Sequence, residues 1–224
     1  KTSVFIHGFN FEYAKNADWK WISANLNKAL CIFVLSQDFK NELIRRGIKS
    51  DIHLTSTKVP DYFISGFDLS LRQGKAENIM YSGRIEKAKG VYETVDTFSI
   101  LKSQYKDLTL TFVGDGSELP MLKQYVENKK IKDVRFTGEL RGEDFKKEYI
   151  NADMYLFLSY TEGMPTVVLE AMIFGLPIFT RKVGGIIDFF KNGKMGSISS
   201  SLDPAVFEDT MKQYIENPAN MRRV

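Results

Sequence analysis

Short apolar runs alternate along this chain with longer segments in which apolar residues recur every three or four positions. The runs suit buried strands, and the spaced segments suit helices with one apolar face. Ser3–His7 reads as a strand broken by Gly8. Asp18 to Leu30 has helical spacing, with Trp19, Ile22, Leu26 and Leu30 on one side. Cys31–Leu35 follows as a short strand. Ser36 is placed to cap a helix over Gln37–Arg46 that ends at Gly47. Asp51–Val59 is a further strand with a poor pattern. Residues 61–76 mix polar and apolar positions around Gly66 and Gly74 and read as a linker.

From Asn78 the alternation becomes regular. Strands are expected over Asn78–Ser82, Leu108–Val113, Val134–Thr137, Met154–Leu158 and Pro177–Thr180. Helices are expected over Val91–Gln104, Ser117–Lys129, Glu143–Asn151, Gly185–Lys191 and Asp203–Asn217. Such β-α alternation predicts the α/β class, with a parallel sheet and helices on both faces. Ligands of such sheets bind beyond the carboxyl ends of the strands. The domains expected are 1–60, the linker 61–76, a principal domain over 77–217 and a tail over 218–224.

Composition narrows the chemistry only a little. Hydrophobic residues make up 43% of the 224 positions and charged ones 26%, as in ordinary globular proteins. A net charge of +3 is too small to point to nucleic acid. One cysteine, Cys31, excludes an intrachain disulfide and reads as a core residue. With two histidines beside it, no zinc-type pattern is present, and no metal is expected. No run approaches the roughly 20 apolar residues of a membrane span. A cytoplasmic setting is the expectation. Lys40, Arg45, Arg46 and Lys49 form a small basic face, read as solvated, with contact to an anionic membrane surface as the alternative.

The most informative stretch is Glu162-Gly-Met-Pro-Thr-Val-Val-Leu-Glu170, continuing to Gly175. Glu170 is the sole charged side chain between Glu162 and Arg181. Pro165 suits the first position of a helix, where its missing N–H costs nothing. The helix is apolar nearly all round and reads as buried. A carboxylate there is expensive unless something pairs with it. A ribose diol is one such partner. The helix N-terminus offers backbone N–H groups to a phosphate or sugar hydroxyl.

Four strand ends carry further candidates. After Asn78–Ser82 come Gly83, Arg84, Lys89 and Gly90. Two cations beside a glycine suit a pyrophosphate, because guanidinium and ammonium both stabilise phosphate oxygens. Glu86 and Lys87 between them read as solvated. Gly114-Asp-Gly116 is by itself only a tight βα turn and lacks the third glycine of a dinucleotide fingerprint. Thr137-Gly-Glu-Leu140 and Val183-Gly-Gly185 end two more strands. The paired glycines allow positive φ and close approach of a ligand.

Glu-x7-Glu within E-G-M-P-x4-E-A-M-x2-G-x-P, together with Gly83-Arg-x4-Lys-Gly90, resembles the signature of family 4 retaining glycosyltransferases, which have the GT-B fold. The resemblance is strong over Asn78 to Gly196 and weak over residues 1–60. It implies a Rossmann-like carboxy-terminal domain that binds a nucleotide sugar, preceded by part of an amino-terminal Rossmann-like domain. It implies that Arg84 and Lys89 bind the diphosphate, Glu170 the ribose and Glu162 the donor sugar. Backbone groups of Gly163, Met164, Pro165 and Thr166 lie beside that sugar in the same picture. Gly83, Gly138, Glu139 and Leu140 shape the nucleotide site, and His7 faces the donor sugar or acceptor. Met164 departs from the phenylalanine common there. The implied function is transfer of a hexose from a UDP- or GDP-sugar to a saccharide or lipid-linked acceptor with retention, in cell-surface polysaccharide or glycan synthesis. No cofactor and no enzyme nucleophile are required. Peripheral contact at the inner membrane face is a further expectation, and so is that this length of chain binds donor without transferring sugar. The alternatives are a nucleotide-sugar-binding scaffold without catalysis and a nucleotide-sugar epimerase of the same fold.

Overall fold

The computed structural model describes residues 2–6, 18–71 and 76–221. Among these residues the strands are β1 (Val4–Ile6), β2 (Cys31–Val34), β3 (Asp51–Leu54), β4 (Asn78–Ser82), β5 (Thr109–Val113), β6 (Val134–Phe136), β7 (Met154–Phe157), β8 (Ile178–Arg181) and β9 (Gly196–Ser199). The helices are α1 (Trp19–Leu26), α2 (Gln37–Arg45), α3 (Asp61–Ile64), α4 (Val91–Gln104), α5 (Leu119–Asn128), α6 (Gly142–Asn151), α7 (Thr166–Ile173), α8 (Ile186–Phe189), α9 (Pro204–Glu216) and α10 (Pro218–Met221). Short 3-10 turns span Leu69–Leu71 and Lys87–Lys89. The chain divides into two compact units. The first takes residues 1–58 with 161–166 and 183–189, and the second takes 59–160, 167–182 and 190–224.

In the first unit β1, β2 and β3 form a parallel sheet in that order. Ile32, Val34, Phe39, Leu43, Ile48 and Ile52 make its core, with Trp19 and Leu26 of α1 packed against it. Two side-chain caps start the helices, of which the one at Ser36 was expected from sequence. Asp18 accepts from the Trp21 N–H at 3.0 Å, and Ser36 accepts from the Phe39 N–H at 3.2 Å. Cys31 is half-buried, with its sulfur 3.3 Å from the Ser3 hydroxyl. The basic face on α2 is partly neutralised. Glu42 pairs with both Arg45 and Arg46, and Arg46 also lies 4.0 Å over the Trp19 ring.

In the second unit all strands are parallel, in the order β6-β5-β4-β7-β8-β9. Counted from β4, that order is 3-2-1-4-5-6, the Rossmann arrangement. β7, an apolar run, is buried along its whole length, as a strand covered on both faces requires. β8 is buried too, with Thr180 donating to the Phe157 carbonyl and Arg181 to the Leu158 carbonyl. The segment expected as a linker, 61–76, contains α3, whose Phe63 is fully buried. Its ring packs edge-on to Tyr149 and Phe174 and tilted to Phe145, with centroids 5.3–5.6 Å apart. Lys146, itself buried, donates to the Tyr62 and Ser65 carbonyls and so satisfies the end of α3. Pro204 opens α9, and Asp203 caps it by accepting from the Ala205 N–H at 3.0 Å. β9 has no counterpart among the strands expected from sequence.

Candidate functional site: a strand end with two cations and a buried carboxylate

Strand order in the second unit reverses direction between β4 and β7. In such sheets the carboxyl ends of the strands beside the reversal are where ligands bind. The loop after β4 carries Gly83, Arg84, Lys89 and Gly90, and β7 leads into the chain segment that ends in α7 and Glu170. Most sequence-derived candidates of the second unit therefore belong to the two elements that border the switch point.

The β4 loop is held from both sides. Towards β5, the Gly83 N–H donates to the Val113 carbonyl at 3.0 Å, and the Ile85 N–H to the Asp115 carbonyl at 2.8 Å. The Gly114 N–H in turn donates to the Gly138 carbonyl at 2.8 Å, an isolated antiparallel bridge. Backbone bonds thus tie the loops after β4, β5 and β6 beyond the ends of their strands. Gly114 permits this approach, because a Cβ there would lie 2.0 Å from the Gly83 carbonyl oxygen. The Gly114-Asp-Gly116 turn serves chain-to-chain packing.

Towards β7, the turn Lys87–Lys89 ends at Gly90, whose φ is +67°. A Cβ at Gly90 would meet the Leu158 carbonyl oxygen at 1.9 Å. The Tyr160 N–H donates to the Ala88 carbonyl at 3.0 Å. Lys89, half-buried, is therefore carried on a turn whose backbone is fixed against the chain leaving β7. Arg84 is more exposed, at 69%, and its guanidinium pairs with Glu86 at 2.8 Å. Glu86, expected to be solvated, is thus the counter-ion that holds Arg84. Tyr81 donates to the Arg84 carbonyl at 2.8 Å and fixes its backbone.

Glu170 is 8% exposed on α7. The expectation of an isolated carboxylate is corrected: the Tyr149 hydroxyl donates to Glu170 Oε2 at 2.8 Å. Burial raises the Glu170 pKa above the usual carboxylate range, and the Tyr149 bond partly opposes that rise. Behind Tyr149 the Ser82 hydroxyl lies 2.7 Å from the Tyr149 oxygen and 2.9 Å from that of Tyr155. Burial also lifts the Tyr149 and Tyr155 phenols, so both stay protonated and able to donate. Sequence reasoning missed these three hydroxyls. Their one signal is polar oxygen at positions that the β-α pattern assigns to the core.

Of the nucleobase-loop candidates, Thr137 donates to the Gly138 carbonyl at 2.8 Å, and Gly138 adopts φ +75°. Glu139 is exposed and pairs with Arg141 at 2.7 Å. Leu140 is half-buried.

The remaining candidates belong to the first unit, where Glu162, Gly163, Met164 and Thr166 are half-buried and Pro165 is buried. α7 begins at Thr166, one residue after Pro165. The paired glycines find their partner in the protein's own chain. Gly184 has φ +52°, and a Cβ there would lie 2.2 Å from the Glu162 carbonyl oxygen. The Gly185 N–H donates to the Gly163 carbonyl at 2.6 Å. These contacts fix the backbone that presents Glu162. A cavity of about 370 Å³ at the carboxyl ends of the first sheet is lined by residues that include Ile6, Leu35, Thr55, Thr57, Lys58 and Thr166. His7 lies outside the described residues. Among the described residues no three His, Cys, Asp or Glu side chains cluster as metal ligands, and no helix is long and apolar enough to cross a membrane.

Residues 68–224 match the sequence profile of the family described as glycosyl transferases group 1. The chain belongs to that family. Its similarity to individual group 1 members is moderate. It is 28% identical over 153 residues to a glycogen synthase of Mycobacterium tuberculosis, covering 68% of this chain and 37% of that protein. It is 26% identical over 221 residues to a GDP-mannose-dependent alpha-mannosyltransferase of Corynebacterium glutamicum, covering 94% of this chain and 50% of that protein. The chain thus spans half the length, or less, of these curated relatives. Among solved structures it resembles Staphylococcus aureus TarM, in a complex that contains UDP, with a TM-score of 0.85 at 19% identity. That likeness covers 99% of this chain and 45% of TarM. Anabaena Alr3699/HepE in complex with UDP and glucose gives a TM-score of 0.80 at 18% identity, over 99% of this chain and 63% of the other. At such identities the likeness establishes the GT-B type of α/β fold.

Proposed function

We propose that this chain binds a nucleotide-diphosphate sugar and that the protein transfers the sugar to a saccharide or lipid-linked acceptor with retention of anomeric configuration. The observation that carries this reading is the position of the Gly83–Gly90 loop at the topological switch point of a Rossmann-ordered sheet. UDP in the TarM and HepE complexes supports a UDP-sugar, and the mannosyltransferase relative supports a GDP-sugar. Relatives described as acting in teichuronic acid and capsular polysaccharide biosynthesis support a role in cell-surface polymers.

Arg84 and Lys89 bind the diphosphate in this reading. As the bond from the anomeric carbon to the diphosphate breaks, negative charge grows on the leaving oxygens, and fixed cations stabilise that state most. The departing phosphate takes the proton of the acceptor hydroxyl on the same face of the sugar. Glu170 accepts from the ribose hydroxyls. Glu162 accepts from donor-sugar hydroxyls, beside the backbone of Gly163–Thr166. Gly138, Glu139 and Leu140 border the nucleobase, and His7 orients the acceptor. The setting is cytoplasmic, with peripheral contact at the inner membrane face.

The test is calorimetric titration with UDP-glucose, UDP-N-acetylglucosamine and GDP-mannose. NMR then assigns the anomeric configuration of any product, with this chain and longer forms of the protein assayed in parallel. Binding of one donor and an α product from an α donor are expected. An inverted product would overturn the retaining assignment.

A further inference from the structure

The Tyr149 ring is caged on every side that the aromatic core offers. It stacks on Phe174 at 5.4 Å and on Tyr155 at 6.0 Å, and meets Phe63 and Phe145 edge-on at 5.5 and 5.2 Å. Its hydroxyl therefore has a fixed position, which a flexible side chain could not offer. That hydroxyl donates to Glu170 Oε2 at 2.8 Å, while a second approach, to the Val167 carbonyl, is longer at 3.4 Å. An ionised carboxylate only accepts, so the direction of the whole chain of hydroxyls follows. The Tyr149 hydroxyl donates to Glu170, and the Ser82 hydroxyl donates to Tyr149. Tyr155 donates to Ser82, through either the hydroxyl at 2.9 Å or the carbonyl at 3.1 Å. Aligned donors polarise one another, and the alignment ends on Oε2.

Among the described residues Tyr149 is the one side-chain donor to this carboxylate. Glu170 is 8% exposed, and its bond to Tyr149 is made through Oε2. We propose that Tyr149 is a positioning residue: its rigid hydroxyl clamps Oε2 of Glu170 and leaves Oε1, with the remaining lone pair of Oε2, presented to a vicinal diol. This rests on the reading of Glu170 as the ribose ligand. Ser82 precedes Gly83 directly, so the same chain of hydroxyls joins the ribose carboxylate to the strand end that bears Arg84.

The experiment compares UDP, GDP and ADP with their 2′,3′-dideoxy forms by calorimetry, on the wild type and on Tyr149→Phe, Ser82→Ala and Glu170→Ala. The ratio of the two dissociation constants isolates the ribose hydroxyls. A hydrogen bond to a charged group supports a ratio of about tenfold or more in the wild type. Tyr149→Phe keeps the ring and its cage. It is expected to lower the ratio at least about threefold and to leave dideoxy binding unchanged, since one such bond is worth at least that factor. Ser82→Ala, which removes only the donor behind Tyr149, is expected to lower the ratio in the same sense, and it carries the test if the tyrosine variant does not fold. Equal weakening of both ligand forms by Tyr149→Phe, or an unchanged ratio, overturns the positioning role if Glu170→Ala still collapses the ratio. A ratio that survives Glu170→Ala overturns the ribose reading itself. Absence of binding by all three diphosphates overturns both.

Discussion

Tyr149 and Glu170 form a hydrogen-bonded pair 21 residues apart in sequence, with the phenol fully buried and the carboxylate nearly so. Because burial raises the Glu170 pKa, the folded protein holds that proton more tightly than the unfolded chain does. The cost of ionising Glu170 is absent below the ordinary glutamate range and fully present once the pH exceeds the raised value. Glu170→Gln removes that cost while its amide oxygen still accepts from Tyr149. Urea denaturation of the ligand-free protein should therefore show the variant gaining stability relative to wild type as pH rises from the ordinary glutamate range, about 4, through the raised folded value. A relative loss over the same interval would mean that the charge itself stabilises the fold.

Arg84→Ala should weaken a nucleoside diphosphate about tenfold or more and the corresponding nucleoside hardly at all. Charge-assisted bonds to phosphate contribute about 1.5–3 kcal/mol and are absent for the nucleoside. Calorimetry with UDP and uridine measures both, and an equal loss would mark the residue as structural.

If Arg84 binds the diphosphate as proposed, Glu86 competes for it. The pair is solvent-exposed on the arginine side, so breaking it costs at most about 1 kcal/mol. Glu86→Gln should accordingly tighten diphosphate binding by up to about fivefold, and more so at low salt. Unchanged affinity at 10 mM and 300 mM salt would show that the pair does not open on binding.

Gly90 combines φ +67° with a backbone oxygen where its Cβ would go, whereas Gly193 has φ +78° and open space around it. Gly193→Ala should cost about 1 kcal/mol, the strain of left-handed backbone alone. Gly90→Ala should cost several times more, because the Leu158 carbonyl must also move. Chemical denaturation of the two variants side by side measures the difference.

Much of this was legible in the sequence, for reasons that differ by element. β4 and α4 fall where the pattern places them, because the apolar Ile79-Met-Tyr81 run and a fourteen-residue helix that starts after Gly90 have little competition. β9 was not legible: Gly196-Ser-Ile-Ser199 is half-buried at a sheet edge and carries too little apolar signal. α3 was hidden because four residues cannot show a helical period, although Phe63 anchors it in the core. Arg84, Lys89, Glu162 and Glu170 stood out by local spacing. Their supports Glu86, Tyr149 and Ser82 did not. A salt bridge two residues away looks like any solvated pair, and a phenol in an amphipathic helix looks like core.

The most direct measurement is a thermal-shift panel of UDP, GDP, ADP and CMP on the wild type and on Arg84→Ala. At about 100 times its dissociation constant a ligand adds about 2.7 kcal/mol to stability. For a chain of this size that raises Tm by roughly 5–10 °C. One or more of the three diphosphates should give this shift, CMP should give less, and Arg84→Ala should abolish most of the difference. No shift with any diphosphate at millimolar concentration, or a shift that is the same for CMP and survives Arg84→Ala, would contradict a nucleotide-diphosphate site at the β4 strand end.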